Sequence, residues 1–467
     1  MSKGLWSLVL QMSRLGGNVV FFLAMARLLP VADLGAFATG LALFRWMQVV
    51  HKGGIADAVV LTAPGDMRRM DALFWLAQLM TLGICLLALG LMVLAAWGIG
   101  ALAGMGPVIA TLMLVPLFQG LSAVQEAQLR QALRLKALAC RTAFVQLVSA
   151  LGGFALYALG AGLWSLVGFA VLNAALSAVL SWRMARWWPQ AGPDRGAIRA
   201  IAPEVFAIAG RGLVAGAALP LLQLALGLVY GGAVAGGFQI AQRIFQLLDA
   251  VTLAPIRFLV LPMLWRAKGQ GPALVRRVIG AAASLSAPFY VMAALWAQPV
   301  LVWLLGRPAG EMAAPMVQIM AALGPVASLV LALDQALVAQ KSAGRALWRA
   351  CLTLAFTVVF VALALPVSAY AGIGSYVLAA YLALAVTLGR SLRLIGVRPQ
   401  DVARALALPY ILSAGLGVCL WRLGTLVAEW PLLWQLMGQG ALMLVACLPF
   451  WAVVLRRSRG RSMPPHA

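Results

Sequence analysis

The chain has 467 residues, 64% of them apolar and only 10% charged, with a mean hydropathy of +0.97. Soluble globular chains are about half apolar and about a quarter charged. These values therefore exclude a soluble enzyme, a disordered protein and a secreted disulfide scaffold, and define a polytopic membrane protein. The charge that remains is lopsided, 35 Lys plus Arg against 12 Asp plus Glu for a formal +23, a balance that on a soluble chain would point to nucleic acid.

A membrane-crossing helix takes about 20 mostly apolar residues. Such runs fall at 5–29, 34–54, 73–99, 107–127, 140–160, 163–182, 205–230, 235–262, 278–303, 315–338, 350–370, 373–392, 405–423 and 432–454. The expected fold class is an all-α polytopic membrane protein with about fourteen transmembrane helices. The runs are continuous rather than alternating, which excludes a β-barrel. The first run is too long for a cleavable signal peptide, carries Arg14 and has no clear cleavage site.

Lys and Arg concentrate on the cytoplasmic side of membrane proteins. With the N-terminus placed in the cytoplasm, twenty-six cations fall in segments on that side, Arg141 and Arg349 among them, and the alternation holds through all fourteen spans. Only Arg27, Arg307 and Arg422 fall opposite. Most of the +23 is thus a topology signal, both termini are expected in the cytoplasm, and no nucleic acid is expected as a partner.

The longest polar stretch is 183–204, with four Arg, Pro and Gly. It follows the sixth span and suggests a connection between halves. The junction of the first two spans reads ADLGAF (Ala32–Phe37), and that of the seventh and eighth reads VAGGF (Val234–Phe238). Both place Gly two residues before Phe, which suggests an internal repeat of six-helix halves. The expected organisation is a six-helix bundle over 1–182, a cytoplasmic linker over 183–204, a second six-helix bundle over 205–395, two appended helices over 396–455 and a basic cytoplasmic tail over 456–467.

Six cations remain inside the spans: Arg14, Arg45, Lys52, Arg211, Arg243 and Arg257. An Arg near the bilayer centre costs roughly 3 kcal/mol on insertion scales, so each needs a water-filled cavity or an ion pair. Four intramembrane acids, Asp57, Glu126, Asp249 and Asp334, are available for pairing, and Glu126 stands four residues before Arg130, a helical pairing distance. Asp249 and Asp334 read either as coupling carboxylates or as structural ones. Arg211 and Arg257 lie near the cytoplasmic ends and can instead reach the interface. Spacing favours a cavity for the rest. Ser7, Gln11, Arg14 and Asn18 share one helical face, as do Arg45, Gln48 and Lys52. On the eighth span Gln239, Gln242, Arg243, Gln246 and Asp249 make a continuous polar stripe. If these faces meet they line a cationic chamber suited to an anionic substrate, since Arg presents forked donors to phosphate or carboxylate. Pro220, Pro255 and Pro262 are candidate bends.

Other chemistry is not signalled. Cys85, Cys140, Cys351, Cys419 and Cys447 lie singly in or beside apolar runs, and with His51 and His466 make no metal pattern. No GxxxxGK[ST] loop is present, and no cofactor is expected.

Several stretches resemble a known group. RLLPVADLGAFATG (Arg27–Gly40), GGIADAVVL (Gly53–Leu61), DALFWLAQ (Asp71–Gln78), EAQLRQALRLKALACR (Glu126–Arg141) and GAGLWSLVG (Gly160–Gly168) look like bacterial polysaccharide transporters, with WSLV at Trp164–Val167 the most specific. The second half is similar mainly in hydropathy and in the run from Tyr230 to Arg243. The resemblance is to the Wzx-type polysaccharide transporter family of the multidrug/oligosaccharidyl-lipid/polysaccharide flippase superfamily. It implies two six-helix bundles, a V-shaped central cavity, alternating access and a polyprenyl-pyrophosphate-linked oligosaccharide as cargo, moved across a bacterial inner membrane. Membrane lipids, and a polymerase and glycosyltransferases of the same pathway, are the implied partners.

On this reading the chain is a flippase rather than an enzyme, and Gln11, Arg14, Asn18, Arg45, Gln48, Lys52, Gln239, Gln242, Arg243 and Gln246 are its candidate substrate contacts. Two rivals share the superfamily: a cation-coupled multidrug antiporter, which would want an acidic chamber, and a flippase for peptidoglycan lipid precursor. A membrane-embedded transferase would need larger polar loops or a catalytic His/Asp pair. A scaffold without transport leaves the polar stripes unexplained.

Overall fold

The computed structural model describes residues 17–49, 54–62, 65–98, 106–132, 134–254, 256–257, 260, 271–339 and 343–426. Gln11, Arg14, Lys52, Pro255, Pro262, the fourteenth span and the basic tail lie outside these residues. Within them, all regular structure is helical. This is what a bilayer demands of a non-barrel chain, because a helix satisfies its backbone groups internally.

The chain forms two compact units, Met1–Ile240 and Ala241–Ala467. The first contains α1 (Gly17–Leu28), α2 (Val31–Val49), α3 (Ala56–Leu61), α4 (Met67–Gly98), α5 (Gly106–Leu112), α6 (Leu114–Gln131), α7 (Leu135–Ala158), α8 (Trp164–Ala185) and most of α9 (Arg195–Thr252). The second contains the end of α9, then α10 (Gly271–Leu305), α11 (Arg307–Ala321), α12 (Gly324–Ala339), α13 (Ala343–Ala364), α14 (Ala369–Ile395) and α15 (Pro399–Leu426). Nine helices among the described residues are long and apolar enough to cross a membrane, ten if the pair α11 and α12 counts as one bent span. Exposed Leu82, Leu86 and Leu87 on α4, Leu147 and Leu151 on α7, and Val358, Val359 and Leu363 on α13 give these helices apolar outer faces, as lipid contact requires.

α9 is broken at Gly231, whose φ of 80° and ψ of −177° are open only to glycine. Gln223 spans the break, donating from Nε2 to the Ala235 carbonyl at 2.9 Å. Just beyond it, the VAGGF junction packs on the ADLGAF junction. A Cβ on Gly35 would stand 1.5 Å from the Gly232 carbonyl oxygen, and one on Gly236 would stand 2.2 Å from that of Val31. The two backbones therefore touch directly.

The polar stretch after α8 is not a loose tether. Asp71 of α4 is buried and accepts from the backbone N–H groups of Gln190 and Ala191 at 3.2 and 3.0 Å. Trp75 Nε1 donates to the Ala191 carbonyl, Arg68 reaches Asp194 at 2.7 Å, and Arg69 Nη2 meets both oxygens of Glu204 at 2.7 and 2.8 Å. Trp187 and Ile198 join the apolar cluster of Leu73, Phe74 and Val124. Asp194 also accepts from the N–H groups of Gly196 and Ala197 at the start of α9. The Arg68 guanidinium first, and these two N–H groups second, hold its carboxyl below the usual range.

Two expectations from the sequence are corrected. The run 315–338 is not one straight helix but α11 and α12, bent by 46°. Pro325 has no N–H for the Ala321 carbonyl and its ring clashes there, so the chain tightens to 3.3 and 3.0 Å bonds from Ala322 to Ile319 and from Leu323 to Met320. The helices expected from 140 and 350 begin at Leu135 and Ala343. That shift moves Arg349 from the connecting segment into a helix, and places Arg141, at the edge of its expected run and counted with the cytoplasmic cations, more than a turn inside one.

Candidate functional site

The end of α6 and the start of α7 are joined by a short turn, which brings Glu126 beside two cations. Arg130, four residues on, donates from Nη2 to Glu126 Oε1. Arg141 of α7 places Nη2 3.5 Å from Glu126 Oε2, and its Nη1 donates to Ser181 Oγ of α8. The Arg141 side chain is only 5% exposed. Such a burial is tolerable only with a fixed counter-charge, since desolvating a guanidinium costs several kcal/mol.

The second unit repeats the arrangement. Arg349 of α13, 6% exposed, donates from Nη2 to Asp334 Oδ1 of α12. In both units the acid lies on the helix before a short connection, and the buried arginine lies fifteen residues later on the next helix. The sequence reading assigned both arginines to cytoplasmic connections, because each sits in a run of cations. The equal spacing of Glu126 to Arg141 and Asp334 to Arg349 was the available signal.

The two clasps differ in their surroundings. The first borders a polar cavity of about 170 Å³, lined by Asn18 of α1, Gln119 and Ser122 of α6, Gln146 of α7, and Asn173 and Ser177 of α8, besides Glu126, Arg130 and Arg141. Gln119 Oε1 and Asn173 Nδ2 are buried there without a hydrogen-bond partner. Ser122 and the neighbouring Ser181 return their hydroxyls to carbonyls one turn back, the usual way a hydroxyl is satisfied inside an apolar helix.

The candidate substrate contacts fall out as follows. Asn18 lines the cavity. Arg45 and Gln48 lie on α2, with side chains outside the described set, as is that of Arg211 on α9. Gln239, Gln242 and Arg243 on α9 are buried, and Gln246 and Asp249 are half-buried. Gln239 Nε2 has no hydrogen-bond partner. Asp249 accepts from Arg257 at 3.0 Å. Asp249 and Asp334, the candidate coupling carboxylates, are thus both held by arginine. One polar cluster was not anticipated: Ser286 of α10 meets Ser328 of α12 at 2.8 Å and the Tyr410 hydroxyl of α15 at 3.0 Å. This closed hydroxyl network ties three helices of the second unit. No group of three or more metal-ligating side chains occurs among the described residues.

All-helical units of long apolar spans, with paired charges inside them, define a polytopic membrane protein, and comparison with known proteins gives its family and fold. The chain belongs to the polysaccharide biosynthesis protein family, whose profile matches residues 24–314. Among solved structures, the lipid II flippase MurJ in an inward closed conformation is similar with a TM-score of 0.70 and 11% identity, over 98% of this chain and 100% of that one. An inward-facing multidrug resistance MATE family transporter of the MOP superfamily follows at 0.59 and 13%, over 85% and 98%. A MOP superfamily transporter from Pyrococcus furiosus, described as having a binding pocket of reverse polarity, stands at 0.58 and 13%, over 84% and 95%. At these identities the likeness is one of fold. No curated protein sequence matches the chain.

Proposed function

We propose that this protein is a flippase that carries a polyprenyl-pyrophosphate-linked oligosaccharide from the cytoplasmic to the outer leaflet of a bacterial inner membrane, for assembly of a surface polysaccharide. The observation that carries the reading is the conjunction of the polysaccharide biosynthesis family with a fold shared by a lipid flippase. The physical need is plain, because a diphosphate cannot cross about 30 Å of hydrocarbon unaided and its charge requires fixed counter-charges when buried. In this proposal the diphosphate and sugars contact Gln11, Arg14 and Asn18, then Arg45, Gln48 and Lys52, and Gln239, Gln242, Arg243 and Gln246, while the lipid tail stays in the bilayer. The bundles over 1–182 and 205–395 rock about the 183–204 connection to alternate access, and both termini lie in the cytoplasm. Coupling of an ion to Asp249 or Asp334 has to displace Arg257 or Arg349, so their occupancy sets the cost of that step.

The test is export. A deletion strain complemented with Arg14→Gln, Arg45→Gln or Arg243→Gln, at matched protein levels, should lose surface polysaccharide and accumulate its lipid-linked precursor in the inner leaflet. Full export by all three variants sinks the assignment of the contacts. Unchanged polysaccharide in the deletion strain itself, with raised drug sensitivity, sinks the cargo in favour of a drug.

A further inference from the structure

The first clasp carries a surplus that the second lacks. Counted from the acid, the fourth residue is Arg130 in the first unit and Val338 in the second. Glu126 is therefore shared by two guanidiniums, whereas Asp334 meets Arg349. The wall of the cavity made by Glu126, Arg130 and Arg141 has a net charge of +1. Beside that charge stand hydrogen-bond donors of the right kind. Asn18, Gln119, Ser122, Asn173 and Ser177 add amide and hydroxyl groups to the lining. Arg130 and Glu126, at 32% and 19% side-chain exposure, leave the charged wall open to entry. A partly desolvated net cation with amide donors around it binds an anion better than it binds water or a cation.

We propose that this cavity inside the first unit is a binding site for a small inorganic anion, of the class of chloride or phosphate. The Glu126–Arg130–Arg141 cluster, with two guanidiniums to one carboxylate, supplies the positive charge, and the amide and hydroxyl side chains of the lining supply neutral donors. At about 170 Å³ the cavity admits such an ion with a few waters, each water occupying roughly 30 Å³. The site rests on the charge and shape of the cavity alone and does not depend on the cargo proposed above. Its affinity should vary with anion size and charge, not with sugar structure.

The experiment is a thermal unfolding titration of the full chain in lipid nanodiscs, read by tryptophan fluorescence. Gluconate is replaced by chloride or by inorganic phosphate at constant ionic strength. A saturable rise of the midpoint is expected, since a ligand that binds only the folded state stabilises it. Arg130→Gln and Asn173→Leu should each weaken the titration, Arg130→Gln by about tenfold or more, as expected for loss of a charged hydrogen-bond partner. Arg276→Gln, which removes a surface pair with Asp401 3.7 Å away, should leave it unchanged. Repeating the titration with neutral and anionic lipids separates the sources. A response abolished by anionic lipid, with no effect of lipid in Arg130→Gln, assigns the site to a lipid phosphate and overturns the inorganic ion. An unmoved midpoint, or equal titrations in the wild type and Arg130→Gln, overturns the site.

Discussion

The two clasps share a spacing and an architecture but not a charge count. Glu126 with Arg141 and Asp334 with Arg349 each staple a helix to its successor in the chain, with the arginine almost wholly buried. The first has a second arginine, a serine acceptor on α8 and a polar cavity beside it. In the second, Arg349 Nη1 is buried without a hydrogen-bond partner. The fifteen-residue staple is common to both units, and the first adds a second guanidinium on the same acid beside a polar cavity.

The comparison can be broken by removing the acids. Glu126→Gln leaves two guanidiniums facing each other and should give the largest loss of stability. Stripping one partner from a buried pair costs about 3–5 kcal/mol, an upper bound here because the acid is partly exposed. Asp334→Asn strands one arginine beside a more exposed acid, 32% against 19%, and should cost less. Unfolding midpoints of both variants in nanodiscs measure the ranking, and equal losses would remove the distinction between the units. Arg257→Gln comes next. Its side chain is 49% exposed, so the pair with Asp249 should contribute about 1 kcal/mol or less.

The smallest effect belongs to the surface pair of Arg68 and Asp194. The Asp194 carboxyl is held below its usual range, so its contribution is full at neutral pH and is lost as pH falls through that depressed value. Protection factors for hydrogen exchange along 186–200, taken relative to the intrinsic rate at each pH, should fall at acid pH, with Asp194→Asn already weakly protected at neutral pH. Protection factors that do not change with pH in the wild type would mean that Asp71 and Trp187 hold this connection without it.

Much of the fold was legible because the bilayer simplifies the code. Continuous apolar runs can only be helices, and the described spans follow them closely from α4 to α8. The bend between α11 and α12 was written in Gly324 and Pro325, yet the apolar run passes smoothly across them. The clasps were obscured for an electrostatic reason. A cation among cations reads as a cytoplasmic connection, and only packing tells that Arg141, at the edge of its run, is buried and that α13 starts early enough to hold Arg349. Glu126 with Arg130 was visible because its spacing is local, whereas Glu126 with Arg141 needs a turn of the chain. Of the polar faces, Gln239, Gln242 and Arg243 of the α9 stripe are buried, and Asn18 lines a cavity within the first unit that is distinct from the chamber the sequence suggests between the first, second and eighth spans.

The meeting of Gly35 with Gly232 and Gly236 has a mechanical consequence. At the point of contact no side chain comes between the backbones, and Leu34, Phe37, Ala235 and Phe238 of the same two junctions are buried around it, so the joint combines direct backbone contact with an apolar surround. The contact is unforgiving, because a single methyl group at Gly35 would overlap the Gly232 carbonyl oxygen and hold the two backbones apart.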